Sequence, residues 1–395
     1  MHKIILFITI IIIDITQSRL LCCTAITKSD SANTMVGFNM DWMISDYEII
    51  YTPPTDSQYG RICFGMFEVP LAGGINDQGL FWFPPSVNNI PIKEMRDKAL
   101  YRGDFIFDDL MAKCSNVKEA INFLSKYDLS NTLESVHLML VDKSGDWAIF
   151  EGDDILTKNQ NFCVLENISI LELPEKHILC RHHMAYNLLE KSDITIDSFR
   201  HILSMTCQGT RSYCPTQFSA IFDLTNFKIN IYHFQNFTEA LIVDIKKEMK
   251  KDTKIEKLSE LFSTKWSFLN ENGKKRISEV FHREIKNHNV DIAIKKYRAL
   301  EKNAKDKYEF DNWDLDFVGF SCMYNQRFYD ALKIFELNLQ EYPDYAYGYY
   351  NLGRIYHKLG ENEKAVNALR KSIELDSTRS VTIKYLNHLL KYQKN

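Results

Sequence analysis

Residues 23–42 read CTAITKSDSANTMVGFNMDW. It opens on Cys23-Thr24 and closes on Gly37-Phe38-Asn39-Met40-Asp41-Trp42. An apolar leader precedes it. A cut directly before Cys23 would give one residue both a thiol and a free α-amino group, a nucleophile and its base in one place.

Working outward, Lys3 supplies a short positive start and Ile4 to Ile13 form an apolar run broken only by Thr9. A spanning helix needs roughly 20 apolar residues, and Asp14 interrupts this run well short of that. Residues 1–22 are therefore expected to be a signal peptide with a short removed remnant, which places the protein outside the cytoplasm, periplasmic or secreted, with no stable membrane span. Three processing routes stay open. Thr16 and Ser18 suit a signal peptidase, which would leave Arg19 to Cys22 for later removal. The cut could fall directly before Cys23. Leu20-Leu21-Cys22 could be a lipidation signal, although Leu21 is larger than the residue such signals place before the cysteine.

The 395 residues suggest two or three domains, and 45% hydrophobic with 25% charged residues is ordinary globular composition. A net charge of −4 provides no basic stripe, so nucleic acid is not an expected partner. Nine cysteines occur without a CxxC pair, which argues against a zinc ribbon or a thioredoxin-type site. No metal or cofactor is expected. Cys180 with His182 and His183 lacks a second ligand pair, and Cys180, Cys207 and Cys214 form the expected disulfide pool.

Up to about residue 240 the chain reads as β-rich. Arg61 to Val69, His137 to Val141, Trp147 to Glu151, Gln217 to Leu224 and Lys228 to Phe234 are short, aromatic and β-branched, and bounded by turn formers. The last two suggest a hairpin around Thr225-Asn226. Asn116 to Tyr127 and Ile178 to Lys191 have helical spacing. Beyond 240 the pattern becomes helical and charged. Tyr349, Leu352, Gly353, Tyr356, Ala365 and Leu369 fall where a tetratricopeptide repeat places its packing residues, and a shift of thirty-four residues recovers Gly319, Ala331 and Phe335. The expected organisation is 1–22 leader, 23–240 catalytic domain, 241–311 helical linker and degenerate repeat, and 312–395 two repeats (312–345 and 346–379) with a capping helix.

The order of several short motifs resembles the N-terminal-nucleophile (Ntn) cysteine hydrolases of the penicillin V acylase, choloylglycine hydrolase and isopenicillin N acyltransferase group. After Cys23-Thr24 and the segment ending Asp41-Trp42 come Gly73-Gly74-Ile75-Asn76-Asp77-Gln78-Gly79-Leu80, Asp142-Lys143-Ser144-Gly145-Asp146, Ile149-Phe150-Glu151-Gly152, Val164-Leu165-Glu166-Asn167, Cys180-Arg181 and Thr216-Gln217-Phe218-Ser219. The resemblance implies an α+β fold, an αββα Ntn-hydrolase sandwich, here followed by an all-α tetratricopeptide-repeat domain. It implies an exported acylase-type amidohydrolase, or an acyltransferase, that cleaves linear amide C–N bonds of small N-acylated amines or amino acids through an acyl-thioester. By the same resemblance Cys23 is the nucleophile, Asp41 orients the α-amino group, Asn167 donates to the oxyanion and Arg181 balances charge.

The chain also departs from the family. Phe38 stands where bile-salt and penicillin V hydrolases place arginine, a second asparagine after the Gly79-Leu80 strand is missing, and Glu166 replaces the threonine before the oxyanion asparagine. Bile salts are therefore not the expected substrate. Phe38, Phe81 and Trp82 are candidate substrate-binding residues forming an aromatic wall, or are core. Asn167-Ile168-Ser169 is also a glycosylation sequon. The alternative function is a catalytically inactive domain serving as a scaffold, with the repeats holding a protein or peptide partner.

Overall fold

The computed structural model describes residues 23–42, 46–87, 98–101, 105–129, 133, 136–167, 169–170, 181–209, 214–263 and 274–392. Two compact units result: the second holds residues 274–392 together with Met66–Val69 and Phe105, and the first holds the other described residues up to Ser263.

In chain order the first unit contains β1 (Thr24–Ser29), β2 (Thr34–Asp41), β3 (Tyr47–Thr52), β4 (Arg61–Met66), β5 (Gly74–Asn76) and β6 (Leu80–Phe83). Helices α1 (Ile106–Lys113) and α2 (Val117–Leu124) follow, then β7 (Leu138–Asp142), β8 (Trp147–Glu151), β9 (Asp154–Thr157) and β10 (Phe162–Glu166). Helices α3 (Arg181–Lys191) and α4 (Ile196–Thr206) precede β11 (Thr216–Asp223), β12 (Lys228–His233), β13 (Leu241–Asp244) and β14 (Lys254–Lys257). One sheet has the order β10-β1-β2-β11-β12-β13, the other β9-β8-β7-β6-β5-β4-β3-β14.

Side-chain alternation assigns each face. Phe38 of β2 stacks on Phe83 of β6 with ring centroids 4.4 Å apart and meets the edge of Phe64 of β4 at 6.0 Å, so the two sheets pack face to face. Phe81 and Phe83 point into this layer while Trp82 between them points the other way, onto Phe107 of α1 at 4.9 Å. On the outer face of the first sheet, Ile26, Val164 and Ile221 pack against Phe199, Ile202 and Leu203 of α4 and Ala185 and Leu189 of α3. Helix, sheet, sheet and helix thus form four layers, an α+β sandwich of αββα order. Burying each such large apolar side chain contributes about 1.5–3 kcal/mol.

Trp147–Glu151 keeps its expected bounds, and the other strands shift by a few residues at their ends. The hairpin at Thr225-Asn226 forms: Asp223 pairs with Lys228, and the Asn226 N–H donates to Asp223 Oδ1 at 2.9 Å. Asn116 caps α2, its side chain accepting from the Glu119 N–H. The boundary expected at residue 240 needs correction. β13 pairs with β12 and β14 pairs with β3, each extending a sheet beyond it. Both are short edge strands, and Lys-Ile-Glu-Lys at 254–257 carries the charge that protects such edges, which in sequence resembles a solvated helix face.

The second unit is helical: α5 (Ile277–Asn287), α6 (Val290–Asn303), α7 (Asn312–Tyr324), α8 (Phe328–Glu341), α9 (Ala346–Lys358), α10 (Asn362–Leu375) and α11 (Ser380–Tyr392). The helix pair α7–α8 falls within residues 312–345 and the pair α9–α10 within 346–379, and α11 follows them. Small residues explain the packing. A Cβ at Gly319 would lie 2.5 Å from the Phe335 ring, and one at Gly353 would lie 2.7 Å from Leu369 Cγ. Buried Asp316 accepts from Asn338 at 3.1 Å, Asn351 at 3.3 Å and Tyr345 at 2.5 Å, tying both repeats to one carboxylate.

Candidate active site

Cys23 immediately precedes β1, a strand bordered on both sides. Thr24 pairs with Asn39 of β2 and with Glu166 of β10. Cys23 is buried, at 5% exposure, with its Sγ 3.7 Å from the Asp41 carbonyl oxygen and 4.0 Å from Met40 Sδ.

Asp41 ends β2 opposite Thr216, which opens β11 just before a register shift in the ladder. Its carboxylate has no exposed surface. It accepts from Arg181 Nη1 at 2.7 Å, from Gln208 Nε2 at 3.2 Å and from the Thr216 hydroxyl. Burial pushes the Asp41 carboxyl up to about 6, against the opposing pull of the Arg181 charge and the three donors. Arg181, the first residue of α3, also donates to the Thr206 carbonyl at the end of α4, at 3.1 Å. Burial works against its charge, but Asp41, Glu166 and, last, the Cys23 sulfur outweigh it and keep the guanidinium protonated.

Glu166 ends β10 and is buried. Its Oε1 accepts from the Thr24 hydroxyl at 3.3 Å. Burial raises its carboxyl and Asp41 adds to the rise, while Arg181, Thr24 and the His182 backbone N–H oppose it. Asn167 follows directly, and continuing the β1–β10 ladder by one step sets it across from Cys23. At 3% exposure it is closed to a glycan, which excludes the sequon reading for the folded chain. Its Nδ2 donates to the Ser86 carbonyl, while Oδ1 finds no partner among the described residues. The segment beyond Asn167 is gripped by buried Glu151, which accepts from the Ser169 hydroxyl and from the Ile170 N–H at 2.8 Å. His137 Nδ1 sits 3.3 Å from the same Oε2 that takes the Ile170 N–H.

The four expected catalytic residues thus divide into a tight group, Cys23, Asp41 and Arg181, and a neighbour, Asn167, one strand away. The expected aromatic wall is corrected. Phe38, Phe81 and Trp82 have no exposed surface; the first two fill the layer between the sheets and Trp82 lies under α1, so none has a face to offer a substrate. Asn76 is likewise structural, donating to the Met111 and Cys114 carbonyls at 2.9 and 2.7 Å. Cys207 and Cys214 are free thiols, against the expected disulfide pool. The leader, Cys22 and Cys180 lie outside the described residues.

Thr216, Gln208 and Glu166 were not anticipated as parts of the site. Thr216 was visible only as a motif letter, and Gln208 carries no local pattern. Glu166 was visible as a departure from the family but had no partner until the strands were paired. Among the described residues no three His, Cys, Asp or Glu side chains gather as a metal site, and no helix is long and apolar enough to cross a membrane.

Residues 346–379 match the tetratricopeptide repeat family. No curated protein matches the chain. Among solved structures, the chain is similar to a variant of conjugated bile acid hydrolase from Clostridium perfringens at 15% identity and a TM-score of 0.48, covering 63% of this chain and 99% of that one. It is similar to penicillin V acylase from Agrobacterium tumefaciens at 16% identity and a TM-score of 0.47, covering 60% and 91%.

Proposed function

We propose that the first unit is an exported cysteine-nucleophile amidohydrolase that becomes active when the chain is cut before Cys23. The observation that carries this reading is the buried Asp41 carboxylate, held by Arg181, Gln208 and Thr216 on a residue whose backbone carbonyl lies 3.7 Å from the thiol that precedes β1. A carboxylate kept ionised there is suited to hold an α-ammonium group.

Near neutral pH an α-amine, with an ordinary pKa of about 7.7–8.0, can take the proton of a thiol whose ordinary pKa is about 8.5. The thiolate then attacks the carbonyl carbon of a linear amide, forming the S–C bond. The tetrahedral oxyanion receives a hydrogen bond from Asn167 Nδ2, whose second hydrogen is not needed by Ser86; such a donor contributes about 2.7–4 kcal/mol in hydrolases of known mechanism. Collapse breaks the C–N bond, and the α-ammonium returns its proton to the departing amine. Water, or a second amine, resolves the thioester and restores the thiol. The substrate class is a small N-acylated amine or amino acid. The repeat at 346–379 suggests protein interaction by the second unit.

The test is turnover of a panel of acyl amides by the Cys23-initiated chain and its Cys23→Ser variant. Turnover falls to background in the variant; equal rates in the two chains would sink the reading.

A further inference from the structure

The buried cluster around Thr24 has an uneven charge count. Asp41 and Glu166 are both buried carboxyls, and Arg181 is the cation that faces them both. The other titratable groups packed here are His182 of α3, whose burial holds its imidazole below the ordinary value, and the Cys207 thiol at the end of α4, which burial pushes up. Neither supplies a second positive charge at neutral pH. Among the described residues two buried carboxyls share one guanidinium, and burial raises both, so a further cation there would favour their ionised forms.

The strand register shows where a further cation fits. Glu166 lies directly across the ladder from Thr24 and takes a hydrogen bond from its hydroxyl; from β2 the Asp41 backbone carbonyl comes within 3.7 Å of Cys23 Sγ, and the Asp41 carboxylate pairs with the Arg181 that also faces Glu166. Both carboxylates therefore lie at the end of β1 where a cut before Cys23 would leave an ammonium. We infer that Glu166 and Asp41 form a two-carboxylate socket for that ammonium, and that Glu166 is the positioning residue that sets the pH at which the amine becomes a base. The inference rests on the proposed function and deepens it. Two carboxylates raise the pKa of an ammonium and Arg181 lowers it. Removing one carboxylate charge therefore moves the amine down.

The experiment titrates the amine directly, without a substrate. The Cys23-initiated chain carrying Cys23→Ser is acetylated at graded pH, and the labelled N-terminal peptide is quantified by mass spectrometry. This is done with Glu166 intact, with Glu166→Gln and with Glu166→Asp. Expected is a fall of roughly one pH unit in the midpoint for Glu166→Gln, as a single charge a few ångströms away produces in a partly buried site, with Glu166→Asp staying close to the parent. An unmoved midpoint in Glu166→Gln overturns the socket. If Glu166→Gln does not fold, a midpoint for the parent and Glu166→Asp at or below that of an unfolded N-terminal peptide overturns it equally; a midpoint above it supports the socket. Turnover of the Cys23→Ser chain reads the nucleophile separately, so failure of the Cys23 reading and failure of the socket give different results.

Discussion

Replacing Asp41 by asparagine separates the cost of burying this carboxylate from what it holds. In the folded chain burial lifts the Asp41 carboxyl from 3.8 to about 6. A carboxyl raised on folding favours the folded state while protonated. Its contribution is full below the ordinary value and is lost as pH rises through about 6. Between about pH 5 and about pH 7 the linkage relation assigns a loss of roughly 1 kcal/mol to this one residue. Asparagine does not titrate, so Asp41→Asn lacks that component. The value of about 6 already includes the pull of Arg181, so the expected outcome is a stability difference between the two chains that shifts by roughly 1 kcal/mol in favour of the unsubstituted chain from about pH 7 to about pH 5. The assay is urea unfolding of both chains at the two pH values, read by hydrogen exchange on β1 and β2 peptides. That readout keeps the result separate from Asp314 and Asp316 in the helical unit, which burial also raises to about 6. If both chains show the same change between the two pH values, Asp41 is not the buried titrating group described above, and the electrostatic argument for the site fails.

Arg181→Ala removes the cation from buried Asp41 and is expected to destabilise the first unit by about 3–5 kcal/mol at neutral pH, with Arg181→Lys intermediate; an unfolding midpoint equal to that of the parent would contradict the pairing. In the helical unit, Gly353→Ala forces a Cβ to 2.7 Å from Leu369 Cγ. Overpacking costs about 1–3 kcal/mol against a helix-propensity gain of about 1 kcal/mol. A net loss is therefore expected in thermal melts, greater still for Gly319→Ala, where a rigid ring stands at 2.5 Å. A rise in melting temperature for Gly353→Ala would show that the helices have room to spare.

Much of the fold was legible because its elements follow local rules. The helical spacing that begins at Asn116 is α2, which Asn116 caps by accepting from the Glu119 N–H three residues on. The thirty-four-residue spacing of Gly319 and Gly353 gave the repeats because only small residues fit at those crossings. What was not legible depends on pairing across the sequence. β13 is too short and β14 too short and too charged to announce themselves, and they become strands because an existing edge accepts them. Phe38 illustrates the reverse error. Aligned against a family position it looked like a substrate contact, but alternation along β2 turns it inward onto Phe64 and Phe83. The site residues Cys23, Asp41 and Arg181 were named from motif order. Thr216 and Gln208 were not, since hydrogen-bonding to a carboxylate 175 or 167 residues away leaves no local trace.

The position of Cys23 in the sheet bears on why a cut there would produce a working nucleophile. Chain ends ordinarily fray, and a frayed end cannot hold a thiol and an amine in register with a substrate. β1 is not an edge strand. Its Thr24 is fixed on one side by Asn39 of β2 and on the other by Glu166 of β10, and the antiparallel order carries β2 two residues further, to Asp41, past the start of β1. The starts of β11 and α3 add Thr216 and Arg181 to the same group, and the end of α4 adds Thr206. An end produced there is held by two ladders before any substrate arrives. The entropy of ordering it, about 1–2 kcal/mol per residue, has already been spent in folding, so binding energy from the acyl amide remains for the transition state.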